Sequence, residues 1–270
     1  MIQMNLKKII YNQYTIYFAE DAPFLMPEPS VIINSLSETR ILQNKGRGGI
    51  KVFEIDGRLI VCRKYMHGGI FRAFTGNTFF SEKRAVSEFE ILFYLKNNEF
   101  PVVEPYCVIS EKHLITKKLY ILTVFEKGAS DLIQILKTCG HKKRYGIAKE
   151  FARLMWKMEN LGVYHPDMHL NNVLVIPEGK LKFLDFDKAC RKLMIAEDME
   201  RMLWRLNRYV EKMEKQGKLK IDVKEKLLFL RTYRKLSGFD IAGKMSFKKE
   251  RKSLLSRVGW FFESLLYGKR

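Results

Sequence analysis

The sequence has no long apolar run, no closely spaced cysteines and comparatively few acidic residues. No stretch is apolar over the roughly 18 residues that a membrane-spanning helix needs, so only peripheral membrane contact is expected. The four cysteines are far apart in the chain and form no Cys-x-x-Cys pair, which favours reduced thiols in a cytosolic protein. Residues 1–11 lack the apolar core and the cleavage site that define a secretion signal.

Basic residues strongly outnumber acidic ones. The 49 lysines and arginines exceed the 30 aspartates and glutamates, leaving a formal net charge of +19. This excess predicts an anionic partner, such as nucleic acid, an acidic membrane face or a phosphorylated substrate. The basic charges are spread along the chain and match no nucleic-acid-binding motif, so no nucleic-acid partner is predicted. At 270 residues the chain can form one domain or a two-lobed unit with a substantial core.

The stretch from Asp167 to Asp185 carries the clearest chemical signal. Asp167 can accept a hydroxyl proton, and Asn172 and Asp185 offer hard oxygen ligands to Mg²⁺. Residues 173–176 and 181–184 predict two strands joined by a Pro-Glu-Gly turn. The hairpin would bring Asn172 and Asp185 together at its open end, an arrangement that suits phosphoryl transfer.

The motif His165-x-Asp167-x4-Asn172, followed by Asp185-Phe186-Asp187, resembles the catalytic and metal-binding loops of the protein-kinase-like superfamily. Pro166 replaces the usual arginine, and Asp187 stands where protein kinases have glycine. Both departures are typical of kinases that act on small molecules or glycans. The chain is most similar to the lipopolysaccharide core kinase family, which includes kinases of Kdo (3-deoxy-manno-octulosonate) and of heptose.

An upstream glycine cluster fits the same resemblance. Gly46, Gly48 and Gly49 precede a predicted hairpin, and glycines let backbone N–H groups approach a phosphate closely. A basic residue on the returning strand would then contact the ATP phosphates. Arg63 and Lys64 lie on opposite faces of that strand, and both are retained as candidates. Similarity to an Arg-x-Tyr-x-Arg-Gly-Gly stretch of the family favours Arg63, whereas protein kinases use lysine.

A predicted helix from Ser81 places Glu88 on an apolar stripe, where a carboxylate is costly unless it is paired. Its expected partner is Arg63 or Lys64, and the alternative is a glutamate at the edge of the stripe that reaches solvent. In the kinase interpretation, backbone groups between Thr123 and Lys127, including those of Phe125, would meet the adenine edge.

Helical periodicity is strongest over residues 147–161 and 195–209. The second segment carries Arg201, Arg205 and Arg208 opposite its apolar face. The basic amphipathic tail over residues 248–270 either lies on an anionic membrane surface or packs on the domain. A helical zinc site at His165 and His169 is disfavoured by the intervening proline.

The resemblance implies an α+β, protein-kinase-like bilobal fold. An antiparallel-sheet N-lobe with one helix would span residues 1–125, and a mainly helical C-lobe would span residues 126–270. It also implies an ATP- and Mg²⁺-dependent kinase that phosphorylates a Kdo hydroxyl of the inner-core glycolipid Kdo-lipid A, peripherally bound at the cytoplasmic face of the inner membrane. The implied roles are general base for Asp167, loop support for His165 and metal contact for Asn172, Asp185 and Asp187.

Other functional interpretations remain open at this point. Within the enzyme class, the acceptor could instead be a core heptose or a protein serine or threonine. The non-enzymatic alternative is a kinase-like scaffold that binds anionic lipid or nucleic acid through its basic surface. His67 and Arg72 are the residues proposed to help position an acceptor.

Overall fold

The computed structural model describes residues 5–22, 26–37, 40–43, 50–66 and 77–239. The predictions for Gly46, Gly48 and Gly49, for His67 and Arg72, and for the tail over residues 248–270 fall outside these ranges. Within them, the protein is α+β and combines a seven-stranded antiparallel sheet with six α-helices and several short strands. No helix in the described part of the chain is both long enough and apolar enough to span a bilayer.

The large sheet is formed by seven strands: β1 (Leu6–Tyr11), β2 (Tyr14–Ala19), β3 (Arg40–Gln43), β4 (Ile50–Ile55), β5 (Arg58–Lys64), β6 (Pro105–His113) and β7 (Thr116–Val124). Their spatial order is β1-β2-β6-β7-β5-β4-β3. Tight hairpins connect β1 to β2, β4 to β5 and β6 to β7. At the β4–β5 turn Asp56 and Gly57 both have positive φ angles, of 48° and 73°, as a two-residue hairpin requires.

Two helices cover opposite faces of this sheet. Helix α1 (Pro29–Ser37) buries Ile32 against the face of the sheet that carries Ile109 of β6. Helix α2 (Lys83–Asn97) packs on the other face, which carries Val108, because successive side chains of a strand point to opposite faces. The prediction of one helix beside the sheet was therefore wrong. The β-branched run in α1 has modest helix propensity, although a proline at the first helical position was a usable start signal.

The second half of the described chain is mainly helical. Its helices are α3 (Leu132–Thr138), α4 (His141–Asn160), α5 (Ala196–Lys215) and α6 (Val223–Ser237). Its short strands are β8 (Ser130–Asp131), β9 (Val163–Tyr164), β10 (Val173–Val175), β11 (Leu181–Phe183) and β12 (Cys190–Arg191). Strands β11, β10 and β8 form one small sheet, and β12 pairs with β9.

Phe183 of β11 connects the sheet region to the helical region. Its amide donates to Pro101 O at 2.8 Å, and its carbonyl accepts from Val103 N at 2.9 Å. Its ring packs against Phe100 and stacks on Phe151 of α4. The segment between α2 and β6 is thereby fixed to the β10–β11 hairpin.

Several local predictions are confirmed. The β4–β5 and β10–β11 hairpins form, and all four cysteines are free thiols. Helix α4 begins six residues before the predicted start at residue 147, and α5 continues to Lys215 instead of ending near residue 209.

Helices α4 and α6 meet at a buried carboxyl group. Glu159 is only 4% exposed, and the Tyr233 hydroxyl donates to its Oε2 at 2.5 Å. Burial raises the pKa of Glu159 to about 7, although the hydrogen bond from Tyr233 opposes that shift. The folded protein therefore binds this proton more tightly than the unfolded chain does.

Replacing Glu159 with glutamine should remove a pH-dependent loss of stability. The favourable contribution of the raised pKa is complete below about pH 4.5 and is lost as pH rises through about 7. From pH 5 to pH 8, the unfolding free energy of the wild type should fall by about 2 to 3 kcal/mol relative to Glu159→Gln. Urea unfolding at both pH values measures this difference. Glu150→Gln on the same helix, a half-buried residue whose carboxylate pairs with the exposed Arg153, is the control. Parallel pH profiles for wild type and Glu159→Gln would contradict the prediction.

Candidate active site

The end of the β10–β11 hairpin brings the predicted metal ligands together. Asn172 immediately precedes β10, and Asp185 follows β11 after one residue. The amide of Leu184 donates to Asn172 O at 2.9 Å and closes the hairpin at this end. Asn172 is buried, and its side-chain amide donates to Asp167 O at 3.4 Å. Asp167, Asn172 and Asp185 therefore meet at one place, as expected from the sequence.

His165 connects the two loops of this site. Its Nδ1 accepts from the amide of Asp167 at 3.3 Å, which leaves Nε2 protonated to donate to Asp185 O at 3.0 Å. The ring is buried beside Phe186, and burial lowers the pKa of His165. A neutral imidazole with this tautomer joins the two loops, and the supporting role of His165 in catalysis stays a prediction.

Asp185 has an unusual backbone conformation for a non-glycine residue. Its φ is 62°, in the left-handed region. The bond from His165 supports this conformation by engaging the Asp185 carbonyl. The Asp185 carboxylate lies 3.3 Å from Arg63 Nη1 and remains partly exposed. This aspartate is thus held in place without being buried.

Asp187 forms an ion pair with Arg84 that the sequence did not predict. Arg84 of α2 donates from Nε to Asp187 Oδ1 at 2.7 Å and from Nη2 to Oδ2. Burial would raise the pKa of Asp187, but the bonds from Arg84 hold it below its ordinary value. Both carboxylate oxygens have a protein partner, an arrangement that competes with the predicted metal contact.

Glu88 is buried at the centre of the site, with 2% of its surface exposed. Its carboxylate accepts from Arg63 Nη2 at 2.5 Å, from the Tyr65 hydroxyl and from the amide of Phe186 at 3.1 Å. Burial raises the pKa of Glu88, and the charge of Arg63 opposes that shift. These contacts join β5, α2 and the segment at Asp185 through one side chain.

The partner of Glu88 is Arg63, so the alternative pairing with Lys64 is wrong. Successive side chains of a strand point to opposite faces, and Lys64 is exposed near the ring of Tyr120. The solvent-exposed alternative for Glu88 is also wrong, because the side chain is buried and has three donors.

Asp167 forms an ion pair that the sequence did not predict. Arg205 of α5 donates from Nε to Asp167 Oδ1 at 2.7 Å, and its Nη2 contacts the same oxygen. Nearby, His169 stacks on Tyr209 with ring centroids 4.8 Å apart. Helix α5 is therefore anchored directly to the loop that carries Asp167.

The segment predicted to meet adenine lies at the end of β7. Thr123 pairs with Val61 in the sheet. The amide of Phe125 donates to Leu59 O at 2.8 Å, and the amide of Val124 donates to Glu104 O at 2.9 Å. These two amides are engaged within the protein.

Tyr65, Arg84, Arg205 and Tyr209 are the contacting residues that sequence reasoning missed. Arg84 precedes Glu88 by one helical turn, a spacing that places both on one face of α2 and was a usable signal. No local pattern predicted the contact of Arg205, because the basic face of α5 has the composition of an ordinary solvent-exposed helix surface.

The end of the hairpin offers a partly exposed carboxylate, from Asp185, and a buried side-chain amide, from Asn172, as oxygen donors to a metal ion. No group of three or more His, Cys, Asp or Glu side chains able to hold a metal occurs within the described ranges. One carboxylate and one amide oxygen nevertheless suit Mg²⁺, which takes few protein ligands and completes its shell with phosphate oxygens and water. Asp185 and Asn172 therefore fit an ion that is shared with a bound nucleotide.

Comparison with known proteins agrees with this geometry. The sequence model of the Lipopolysaccharide kinase (Kdo/WaaP) family matches residues 37–233. The chain belongs to this family. Membership confirms the prediction of a lipopolysaccharide kinase, a phosphotransferase that acts on a sugar hydroxyl.

Similar curated proteins carry the name 3-deoxy-D-manno-octulosonic acid kinase. The Vibrio parahaemolyticus serotype O3:K6 protein is 30% identical over 171 residues, covering 62% of this chain and 71% of that protein. The Vibrio cholerae serotype O1 protein is 26% identical over 148 residues, covering 53% and 62% respectively. The Xylella fastidiosa protein is 24% identical over 181 residues, covering 66% and 71%.

Removing the Glu88 carboxylate should destabilise the protein strongly. Glu88→Ala leaves the Arg63 guanidinium, the Tyr65 hydroxyl and the Phe186 amide without their shared acceptor. Breaking such a buried pair is expected to lower the unfolding free energy by about 3 to 5 kcal/mol, measured by chemical denaturation. Glu90→Ala, an exposed change on the same helix, should stay within about 0.5 kcal/mol of the wild type. Equal effects of the two substitutions would contradict the central role of Glu88.

Proposed function

We propose that this protein transfers the γ-phosphoryl group of ATP to a hydroxyl of Kdo in the lipopolysaccharide inner core, with Kdo-lipid A as acceptor. Family membership and relatives named 3-deoxy-D-manno-octulosonic acid kinase support this proposal. The observation that carries it is the convergence of Asp167, Asn172 and Asp185 at the end of one hairpin, with His165 joining their loops.

The proposed fold is protein-kinase-like and bilobal, with an N-lobe over residues 1–125 and a C-lobe over residues 126–270. In chain order, β7 is the last strand of the seven-stranded sheet, and it ends just before the proposed boundary. Four helices follow it in the described chain. Under this proposal the nucleotide lies between the lobes, where β5, α2 and the Asp185 segment meet.

Arg63 is the proposed phosphate-binding residue. Glu88 holds its guanidinium on one side, and the side chain remains about one-third exposed toward the Asp185 carboxylate. The glycines 46, 48 and 49 are proposed to cover the phosphates. Because the amides of Val124 and Phe125 are engaged, the backbone of Glu126 and Lys127 is the proposed contact for the adenine edge.

Asp185 and Asn172 are the proposed holders of Mg²⁺. When bound, the ion would neutralise charge on the phosphates during transfer. The protein contributes the fixed carboxylate of Asp185, supported at its backbone by His165, and the buried amide of Asn172. Asp187 is assigned to the Arg84 pair, where it would help to hold α2 against the Asp185 segment.

Asp167 is the proposed general base. Arg205 contacts its Oδ1, which leaves Oδ2 to orient the acceptor hydroxyl and to accept its proton. The side chain is 51% exposed, so a substrate can reach it. Catalysis would rest on positioning and on charge neutralisation, since phosphoryl transfer needs little covalent participation from the protein.

Peripheral attachment at the cytoplasmic face of the inner membrane is part of the proposal. A glycolipid acceptor is embedded in the bilayer, whereas ATP is cytoplasmic. The net charge of +19 favours an anionic membrane surface and a phosphorylated, carboxylated acceptor.

Asp167→Ala should abolish ATP-dependent phosphorylation of Kdo-lipid A while leaving the fold intact. Loss of a general base is expected to reduce kcat by about 10²- to 10⁴-fold. Transfer of ³²P from labelled ATP to Kdo-lipid A, to a heptosylated core and to a basic protein measures activity and separates the alternative acceptors. Glu178→Ala, at the opposite end of the hairpin, is the control and should retain full activity. Full activity of Asp167→Ala would refute the assignment.

Substitution of His165 should weaken activity through the Asp185 backbone. His165→Ala removes the donor to the Asp185 carbonyl, and we expect about a 10- to 100-fold loss of kcat, with a higher Mg²⁺ requirement. His165→Gln retains a donor of similar reach and should recover part of the loss. Activity as a function of Mg²⁺ concentration tests this, with the exposed His113→Ala as control. An unchanged Mg²⁺ dependence in His165→Ala would exclude this positioning role.

A further inference from the structure

Arg205 and Asp167 form an ion pair in which the guanidinium contacts only one of the two carboxylate oxygens. Its Nε and Nη2 both approach Oδ1, so the guanidinium meets one oxygen rather than the two that a bidentate pair would use. The side chains are 40% and 51% exposed. Such a solvated ion pair contributes little to stability and can exchange partners at low cost.

The position of Arg205 is nevertheless fixed by its helix. One turn further along α5, Tyr209 stacks on His169 of the Asp167 loop. Met202 and Leu206 are buried beneath the same part of the helix. Arg205 therefore projects from a rigid element beside the proposed base, and only its side chain needs to move.

The same side of α5 is positively charged. At 100° per residue, Arg201, Arg208 and Lys212 lie within about 60° of Arg205 around the helix. All three are exposed. Asp198, the acidic residue on this side, is buried and accepts from Lys192 Nζ at 2.6 Å. A cationic surface thus begins at the point where the acceptor hydroxyl is expected to bind.

We infer that Arg205 is the residue that recognises the carboxylate of the acceptor sugar, an inference that rests on the proposed function. With no acceptor bound, Arg205 pairs with Asp167. When a sugar acid places its hydroxyl at Asp167, its carboxylate takes over the guanidinium as a bidentate partner. Binding then moves Arg205 from Oδ1 of Asp167 to the acceptor, while Oδ2 of Asp167 contacts the hydroxyl.

This exchange would make Arg205 a specificity determinant. A neutral sugar such as a heptose offers no carboxylate, so Arg205 would stay on Asp167 and the acceptor would bind without this charged contact. The side chain therefore discriminates between sugar acids and neutral sugars of the same glycolipid. Discrimination of this kind works by leaving a charged protein group without its intended partner.

Kinetics with two acceptors test the inference. The wild type, Arg205→Ala and Arg205→Lys are assayed with Kdo-lipid A and with the same glycolipid carrying a methyl ester on the Kdo carboxyl group. We expect esterification to lower kcat/KM of the wild type by about 10- to 100-fold, the range of a hydrogen bond between charged groups. In Arg205→Ala, the acid acceptor should lose a similar factor, and the ester should cause less than about a twofold further change. Arg205→Lys should be intermediate.

Controls separate this role from alternative ones. Arg231→Ala, an exposed arginine change on α6, should leave all rates unchanged, and KM for ATP should be the same in the wild type and in Arg205→Ala. Full sensitivity of Arg205→Ala to esterification would overturn the inference and leave Arg205 as a positioning residue for Asp167. A raised KM for ATP would overturn it in favour of nucleotide contact. Absence of wild-type transfer to Kdo-lipid A would instead refute the proposed function, and the inference with it.

Discussion

The arrangement of the site depends on one carboxylate that is buried and fully hydrogen-bonded. Removing the charge of Glu88 from water is costly, and the cost is offset only because Arg63, Tyr65 and the amide of Phe186 all donate to it. These donors come from β5, from the residue that follows it and from the segment after β11. The same contacts that satisfy Glu88 therefore fix the sheet, helix α2 and the proposed metal-binding segment relative to one another.

The neighbouring loops are held by a neutral histidine and by closure of the hairpin. His165 engages both the amide of Asp167 and the carbonyl of Asp185, so one side chain holds the two loops together. This bond also supports the left-handed backbone of Asp185, a conformation that costs free energy in a non-glycine residue. Strain at this position is consistent with a functional site that is held in shape by its surroundings.

Two further arginines distribute charge around the site. Arg84 satisfies Asp187 from α2, and Arg205 reaches Asp167 from α5. The first pair is largely enclosed and joins two elements of the structure, whereas the second is solvated and exchangeable. Two of the arginines behind the net charge of +19 thus form specific ion pairs with carboxylates of the site. Arg84 joins two elements of the site, and Arg205 lies beside the proposed base, where we propose that an anionic acceptor binds.

The sequence by itself determined the local elements and the chemistry of the motif. Alternating hydrophobicity and turn residues predicted the β4–β5 and β10–β11 hairpins, and the hairpin geometry predicted that Asn172 and Asp185 would meet. Contacts between distant segments were decided only by the tertiary structure. Strand periodicity separates Arg63 from Lys64 but does not say which face carries Glu88, and nothing near Arg205 in the chain indicates Asp167. Local patterns record burial and backbone preference, whereas the partner of an exposed or half-buried charge is set by how whole helices and sheets pack.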